Sequence, residues 1–250
     1  FTGEGRLPQR PMEPYLEILP KKGVSLAYQD DYLPLSIRGK LESGHYEVKG
    51  DISSQYITGL IMALANLQKE SEIHVTTKLE SKPYVDITLD IMESFGVKIL
   101  EDKNRYRIPA HCNFREGNYV CEGDYSQAAF FLVAGAIGGR VTVDGLTLDT
   151  RQGGKEILAI LKRMGANINI EDGITVSKSD LNGVHIDATH IPDLVPILCV
   201  AACKATGTTK IVGVERLKYK ESDRISSTVH MLTGIGADIS YDSDAIIIHG

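Results

Sequence analysis

Several features that commonly assign a chain to a functional class are missing from this sequence. The four cysteines have no CxxC spacing and the seven histidines form no metal-like cluster, so we predict a reduced protein without structural zinc or another metal. The net charge is −6, and there is no basic block or aromatic-rich basic stripe, which argues against a nucleic-acid partner. Any anion that binds must therefore be held by a local group of donors.

Long apolar runs are also missing. The longest, residues 128–137 and 194–202, are far shorter than the ~20 residues that a membrane helix needs, so we predict no membrane partner and a cytoplasmic location.

Phe1-Thr2-Gly3 is neither a translation start nor a signal peptide, and we expect the chain to begin inside a longer protein. A composition of 42% hydrophobic and 24% charged residues is ordinary for a soluble enzyme with one or two domains.

The chain does contain a repeat, which four glycines mark. Gly23, Gly96, Gly165 and Gly236 are separated by 73, 69 and 71 residues. Each of them closes a helical pattern and opens a β-like run, as a glycine at the C′ position of a helix does. A near-constant period indicates one supersecondary unit repeated along the chain. Function should therefore be sought at equivalent points of the repeats.

The segment around Gly96 predicts the order of elements in the unit. Its first helix is indicated by Ile57, Leu60, Ile61 and Leu64, which have the spacing of an amphipathic helix. The predicted elements are a helix in 51–64, a strand at 72–77, a helix in 84–95, and strands near 97–100 and 106–108. The same order of helix, strand, helix, strand, strand recurs from Gly123 and from Asp187, which predicts a mixed α/β (α+β) fold.

Clusters of polar residues occur where the helices of each repeat begin. Those at the second helix are Arg10, Ser81-Lys82-Pro83-Tyr84, Gln152 and Lys220-Glu221-Ser222-Asp223-Arg224, and those at the first helix are Gly50–Gln55, Asp124–Ser126 and Ile191–Asp193. The start of a helix presents backbone N–H donors and a partial positive charge, which favour bound anions. If the repeats pack side by side, these helix starts face one region and form an anion site.

The ordinary interpretation of such residues is structural. Serine or aspartate at a helix start usually caps the helix, and we predict this role for Ser126 or Ser222 taken alone. Lys220, Glu221 and Arg224 have a similar alternative, which is a structural ion-pair network. The density of the clusters favours a binding site, because capping needs one residue per helix and not five.

Five of these motifs together resemble the 5-enolpyruvylshikimate-3-phosphate synthases, also called 3-phosphoshikimate 1-carboxyvinyltransferases. The motifs follow the order and spacing of that family over essentially the whole chain, and they are Gly50–Gln55, Ser81–Tyr84, Gly123–Ser126, Ile191–Asp193 and Lys220–Arg224. Any one motif is weak evidence, but the set is highly specific.

The resemblance implies a two-domain, inside-out α/β barrel of repeated βαβαββ units, incomplete in this chain. Residues 1–120 are then the second half of the shikimate-phosphate-binding domain, and residues 121–250 are the first two units of the other domain. The family's lysine, serine and arginine motif is expected before Phe1, and its His-Arg and late lysine after Gly250. A monomer is expected for the full-length protein.

The resemblance also implies a reaction and a set of site residues. The family joins the 5-hydroxyl of shikimate 3-phosphate to C2 of phosphoenolpyruvate and expels phosphate through a tetrahedral intermediate, without a metal or organic cofactor. This reaction is a step of the shikimate pathway to chorismate and the aromatic amino acids, and the enzyme family that catalyses it is the target of glyphosate.

The site residues that the resemblance implies fall into three groups. The shikimate 3-phosphate contacts are Ser53, Ser54 and Ser81 on the phosphate, and Gln55, Tyr84, Asp193 and Lys220 on the ring and its hydroxyls. The phosphoenolpyruvate contacts are Arg10, Gln55 and Arg224. The catalytic residues are Asp193, Lys220 and Glu221, with Lys220 as proton acceptor during addition and Glu221 protonating and deprotonating the methylene carbon.

The sequence departs from the family's pattern at two places. Gln152-Gly153-Gly154 stands where the family usually has Gln-Gly-Asp, which removes a carboxylate at position 154. Residues 216–218 differ from the asparagine-containing version of some members, which puts one shikimate contact in doubt.

Two other functions compete with this interpretation. The first is UDP-N-acetylglucosamine 1-carboxyvinyltransferase, which has the same fold and typically carries a reactive cysteine in the loop that here spans residues 3–11. That loop has no cysteine, and Ser53-Ser54-Gln55 favours the phosphorylated shikimate. The second is a non-catalytic anion-binding or scaffold fragment, which would be excluded if the reading frame extends on both sides with the expected lysine and arginine motifs.

Overall fold

The computed structural model describes residues 1–29, 32–242 and 244–250. The chain divides into two compact units, Phe1–Tyr119 and Val120–Gly250, and each has its own hydrophobic core. No helix in the described ranges is long and apolar enough to cross a membrane.

The described residues of the first unit form short strands and three helices. Its strands are β1 Val24–Ala27, β2 Ser36–Gly39, β3 His45–Val48, β4 Ser71–Val75, β5 Leu100–Asp102 and β6 Arg105–Ile108. Its helices are α1 Glu13–Ile18, α2 Ser54–Leu64 and α3 Lys82–Ser94, with 3₁₀ turns at Leu7–Gln9 and Leu19–Lys22. The predicted apolar stripe of α2 lies in the core of this unit, since Ile57, Leu60, Ile61 and Leu64 are all at most 2% exposed.

The second unit contains two further copies of the same arrangement. Its helices are α4 Tyr125–Gly138, α5 Glu156–Arg163, α6 Val195–Ala202 and α7 Arg224–Gly234, with 3₁₀ turns at Gly153–Lys155, Pro192–Leu194 and Glu215–Tyr219. Its strands are β7 Arg140–Val143, β8 Asn167–Ile170, β9 Ile174–Ser177, β10 Leu181–Asn182, β11 His185–Asp187, β12 Ala205–Thr206, β13 Thr208–Val212, β14 Asp238–Asp242 and β15 Ala245–His249. Cys199 is fully buried on α6, as predicted for a core residue, and Cys203 is half-buried just after it.

The sheets confirm the predicted repeat. The strand order is β3-β4-β6-β5 in the first unit and β11-β13-β15-β14 in the second. In both sheets the first two strands are parallel and the other pairs are antiparallel, so each is one βαβαββ unit. The middle copy has the order β7-β9-β8, which repeats the antiparallel part of the pattern.

The four marker glycines all have left-handed backbones, with φ of 80°, 88°, 97° and 89° along the chain. Gly96 N–H donates to the Glu93 carbonyl at 2.9 Å, and Val97 N–H donates to the Met92 carbonyl at 2.8 Å. The equivalent pair of bonds follows α5 at Gly165 and α7 at Gly236. This is the Schellman ending of a helix, and it explains the glycine because other residues are strained at such φ values.

One predicted strand is displaced. A strand was expected near residues 97–100, but β5 is Leu100–Asp102. The reason is the two-residue turn that joins β5 to β6, in which Lys103 has a φ of 55° and Asp102 pairs with Arg105. Val97 and Ile99 are buried in the connection before the strand.

Candidate active site

In the repeats that contain β3–β6 and β11–β15, the beginnings of the two helices are brought to the same edge of the sheet. The reason is the parallel strand pair, because both strands end at that edge before their helices begin. In the first unit Gly50 N–H donates to Thr77 Oγ1 at 2.9 Å, and Glu80 N–H donates to the Gly50 carbonyl at 3.0 Å. A Cβ at Gly50 would lie 2.6 Å from Val75 Cγ1, so the two connections can approach this closely only with glycine there.

Ser53, Ser54 and Gln55 occupy the beginning of α2. Ser53 caps the helix, and its Oγ accepts from Gln55 N–H at 3.3 Å. The Ser54 side chain is 5% exposed, whereas Gln55 is exposed. The structural explanation by capping therefore accounts for Ser53 but not for Ser54 or Gln55.

Ser81 and Tyr84 lie at the beginning of α3, beside that region. Ser81 has a left-handed backbone (φ 55°, ψ 36°), is 3% exposed, and makes no side-chain capping bond. A left-handed serine costs about 1–2 kcal/mol, and such strain is concentrated at functional sites. Tyr84 is 39% exposed, while Lys82 is committed to ion pairs with Asp86 and Glu101.

Arg10 is brought to the same part of the first unit by a tyrosine. The Tyr56 hydroxyl, on the first turn of α2, donates to the Pro11 carbonyl and fixes the loop that carries Arg10. Burial and the nearby Glu13 raise the pKa of Tyr56 to about 12, and the positive charge of Arg10 opposes this rise. The first unit thus places Ser53–Gln55 and Ser81 on either side of the contact between Gly50 and Glu80, and it holds the loop of Arg10 against the first turn of α2.

In the second unit an ion-pair network joins the beginnings of the two helices of the third repeat. Arg224 Nη1 donates to Asp193 Oδ1 at 2.5 Å, and Arg224 Nη2 donates to Glu221 Oε2 at 3.0 Å. The desolvation of Arg224 is outweighed by these hydrogen bonds and charges, so its pKa is raised. Of the predicted ion-pair alternative, the pair between Glu221 and Arg224 is therefore present, and Arg224 also pairs with Asp193.

Lys220 lies within this network and is half-buried. Its pKa is lowered, chiefly by desolvation, with Arg216 and Arg224 adding to the effect and Asp193 and Glu221 opposing it. A lowered pKa raises the fraction of neutral amine, which is the form that accepts a proton. The second unit therefore gathers Asp193, Lys220, Glu221 and Arg224.

Arg216 is a residue of this region to which we assigned no role from the sequence. Its Nη2 donates to the Thr189 carbonyl at 3.0 Å, and Thr189 is held in turn by Asp187 Oδ1 through its N–H (2.9 Å) and its hydroxyl (2.6 Å). Arg216 thereby braces the turn that leads to Asp193. Its position four residues before Lys220 in a charged segment was the one sequence feature that could have pointed to a role for Arg216 in the site. Its partner, the Thr189 carbonyl, is known only from the structure.

The capping residues differ from those we predicted. Asp124 Oδ1, and not Ser126, caps α4 by accepting from Ser126 N–H at 2.7 Å. Asp223, and not Ser222, caps α7 by accepting from Ile225 N–H (3.1 Å) and Ser226 N–H (3.0 Å). The carboxylate precedes the first helical residue in both cases, which is the position from which a side chain reaches the N–H groups of the first turn.

Gln152 joins the two helix starts of the middle repeat. Its Oε1 accepts from Tyr125 N–H at 3.0 Å, and its Nε2 donates to the Gly123 carbonyl at 2.9 Å. Gly154 lies against the same helix start, and a Cβ there would be 3.0 Å from Tyr125 Cβ and 3.1 Å from Ser126 Oγ. A side chain at position 154 would therefore touch the first turn of α4.

The expectation that the histidines form no metal-like cluster is wrong. On the exposed face of β3 and β4, His45, Glu47 and His74 each place a potential ligand atom within 4.8 Å of the others. The sequence does not reveal this cluster because the two histidines are 29 positions apart, and only the pairing of the strands brings them together.

Comparison with solved structures defines the class of protein. The chain is similar over its whole length to EPSP synthase from Acinetobacter baumannii, with a TM-score of 0.77, 27% identity and 59% of that chain covered. The enolpyruvyl transferase NikO from Streptomyces tendae matches 96% of this chain and 58% of its own with a TM-score of 0.71, and at 14% identity it supports the fold alone. The chain therefore has part of the α/β enolpyruvyl transferase fold.

Sequence comparison then identifies the family. The family model for EPSP synthase (3-phosphoshikimate 1-carboxyvinyltransferase) matches residues 1–250, and the chain belongs to this family. Relatives named 3-phosphoshikimate 1-carboxyvinyltransferase include those of Clostridium perfringens, 43% identical over 253 residues, and Clostridium novyi, 44% identical over 254 residues. The match covers all of this chain but only 60% and 58% of those two proteins, so the chain spans about three fifths of their length.

Proposed function

We propose that this chain is the part of a 3-phosphoshikimate 1-carboxyvinyltransferase that binds shikimate 3-phosphate and carries the proton-transfer groups. The observation that carries the proposal is the family match over residues 1–250. The placement of the motif residues at the helix starts of their repeats supports it, because the reaction requires anchors for two polyanions and groups that move protons.

The first unit is proposed to bind shikimate 3-phosphate. Ser54 and Ser81 are nearly buried polar residues at two adjacent helix starts, where serine hydroxyls and backbone N–H groups suit a phosphate. Ser53 adds a third hydroxyl, and Gln55 and Tyr84 are exposed beside these serines and contact the shikimate ring. Arg10 and Gln55 are assigned to phosphoenolpyruvate.

The second unit is proposed to supply the chemistry. The 5-hydroxyl of shikimate 3-phosphate, held by Asp193 and Lys220, gives its proton to neutral Lys220 as its oxygen bonds to C2 of phosphoenolpyruvate, while Glu221 protonates the methylene carbon. The resulting tetrahedral intermediate loses phosphate from C2 as Glu221 takes a proton back from the methyl group, and protonated Lys220 gives its proton to the departing phosphate. The two proton transfers by Glu221 cancel, so one new C–O bond replaces the C–O bond to phosphate.

Arg224 is proposed to exchange partners when phosphoenolpyruvate binds. Its guanidinium is held by two carboxylates, at 2.5 Å from Asp193 and 3.0 Å from Glu221. The planar fork suits the carboxylate or phosphate of phosphoenolpyruvate equally well. Its transfer to the substrate releases Asp193 and Glu221 for the roles assigned to them.

We also propose the organisation of the whole protein. Residues 1–120 are assigned to the second half of the shikimate-phosphate-binding domain, and residues 121–250 to the first two units of the other domain. The protein is proposed to act in the cytoplasm as a monomer.

The direct test is an assay of phosphate release from shikimate 3-phosphate and phosphoenolpyruvate, using the longest reading frame that contains this chain. We expect turnover there and very little from the 250-residue chain alone, since charge-assisted contacts contribute about 1.5–3 kcal/mol each and the substrates carry several charges. Turnover only with UDP-N-acetylglucosamine would favour the other transferase, and binding of shikimate 3-phosphate without turnover in the longest frame would favour an anion-binding protein.

A further inference from the structure

A second polar cluster lies on the exposed face of the β3–β4 pair, built by the register of the two strands. His45 is paired with Glu72, and Glu47 is paired with His74, so four polar side chains share one face. Glu47 Oε1 lies 3.8 Å from His45 Nε2 and 3.9 Å from His74 Nδ1. One carboxylate oxygen is thus almost equidistant from two imidazole nitrogens.

These distances are too long for hydrogen bonds but close to those between ligands of one metal ion. Two ligand atoms at 2.0–2.1 Å from a tetrahedral zinc ion lie about 3.3 Å apart. Glu47 Oε1 would have to move roughly half an ångström closer to each imidazole nitrogen. One ligand atom from each of the three residues already lies within 4.8 Å of the others. Side-chain exposures of 49% for His45, 66% for Glu47 and 24% for His74 leave room for this movement. We propose that His45 Nε2, Glu47 and His74 Nδ1 bind a Zn²⁺ ion, with water at the fourth position.

The neighbours of His45 support zinc at its Nε2. Glu72 Oε1 lies 3.1 Å from His45 Nδ1, so the carboxylate holds the proton on that nitrogen and leaves Nε2 as the ligand atom. Glu72 also accepts from Arg105 at 2.6 Å, which holds the carboxylate in place behind His45. A carboxylate behind a ligating histidine is the usual arrangement around protein-bound zinc.

Asn104 disfavours zinc binding at His74, the other histidine of the proposed site. Its Nδ2 donates to the Val75 carbonyl at 2.8 Å and lies 2.9 Å from His74 Nε2, which places the histidine proton on Nδ1. Zinc on Nδ1 moves that proton to Nε2, opposite the amide, so Asn104 has to turn away when the metal binds.

The alternative to a zinc site is a set of cross-strand polar contacts in which a water molecule bridges Glu47 and the two histidines. The third repeat provides an internal comparison, because β11 and β13 have the same register with His185 opposite Lys210 and Asp187 opposite Val212. It lacks the second histidine, and its aspartate accepts two hydrogen bonds from Thr189. His185 is therefore a matched control for His45.

The test is titration of the 250-residue chain with ZnCl₂, followed by calorimetry and by the imidazole nitrogen signals in NMR. We expect one ion per chain, with the ring nitrogen signals of His45 and His74 changing and those of His185 unchanged. His45→Asn, His74→Asn and Glu47→Gln should each weaken binding at least about 10-fold, and His185→Asn should not change it. Circular dichroism should show that all four variants are folded, because the side chains are at the surface.

The opposing amide gives an independent test of the geometry. Asn104→Ala removes the donor that faces His74 Nε2 and should tighten zinc binding several-fold. Three results would overturn the site as assigned. The original chain would bind no zinc, His185→Asn would weaken zinc binding as much as the His45, Glu47 and His74 variants do, or Asn104→Ala would bind zinc more weakly than the original chain.

Discussion

Arg224 Nη1 and Asp193 Oδ1 lie 2.5 Å apart although 31 positions separate the two residues in the chain. Asp193 belongs to the 3₁₀ turn before α6, and Arg224 is the first residue of α7. Their pairing shows that both helices of this repeat begin at one place. The same arrangement in the first unit places Ser54 and Ser81 at neighbouring helix starts.

The first prediction separates the strain at Ser81 from its hydroxyl. Ser81→Gly removes the hydroxyl and also relieves the left-handed backbone, so it should keep or raise the melting temperature, whereas Ser81→Ala retains the strain. In the longest reading frame, both variants and Ser54→Ala should raise KM for shikimate 3-phosphate much more than KM for phosphoenolpyruvate. Ser94→Ala, at the far end of α3, is the control. Equal changes in both KM values would remove these serines from the phosphate site.

The second prediction concerns proton transfer by Glu221. Glu221→Gln should lower kcat by roughly 10²-fold or more with a much smaller change in KM, the scale for loss of a general acid–base group. Glu215→Gln is the matched control, since Glu215 is an exposed glutamate in the 3₁₀ turn that precedes Lys220. Near-normal turnover of Glu221→Gln would leave Asp193 or Lys220 as the main proton-transfer group.

The third prediction concerns the pKa of Lys220. Burial lowers this pKa most, and the charge of Arg216 lowers it further, so Arg216→Met should raise it. A base must be neutral to accept a proton, and the acidic limb of the kcat–pH profile should therefore move to higher pH. Lys218→Met is the control, because that ammonium lies over the Tyr241 ring, 4.7 Å from its centroid. An unshifted or oppositely shifted limb in Arg216→Met contradicts the assignment of Lys220 as the base.

The fourth prediction tests the helix cap at Asp223. Asp223→Ala should lower the free energy of unfolding by about 0.5–2 kcal/mol, the usual value of such a cap, whereas Ser222→Ala should have little effect. Desolvation opposes ionisation of Asp223, but the hydrogen bonds from Ser226 and Ile225 prevail and lower its pKa. The stabilisation is therefore complete above the unfolded pKa of about 3.9 and is lost as pH falls through the folded pKa.

Urea unfolding of the 250-residue chain at neutral pH and at acidic pH measures this effect. The difference between the original chain and Asp223→Ala should shrink at the acidic pH. A larger loss in Ser222→Ala than in Asp223→Ala would assign the cap to the serine that the sequence suggested.

The repeat was predictable because its signals are local. A left-handed residue after a helix favours glycine whatever surrounds it, so Gly96, Gly165 and Gly236 mark helix ends in the sequence itself. The apolar stripe of α2 was predictable for the same reason, since helical periodicity alone selects its buried face. The start of β5 was not predictable from the sequence, because the turn at Lys103 and the pairing of β5 with β6 decide which residues belong to the strand.

The candidate site was partly predictable. The motif residues were found by their position at helix starts, but the sequence could not distinguish the aspartate caps from the serines, since both kinds of residue cap helices. Nor could it assign a role to Arg216, whose partner is a carbonyl 27 positions away.

The sequence by itself determined the period, the order of elements, the family and the chemical character of each helix start, because all of these depend on neighbours along the chain. Only the tertiary structure decided which groups meet. The ion pairs of Arg224 and the meeting of His45 with His74 depend on strand register and loop packing, and contacts between distant segments leave no local pattern in the sequence.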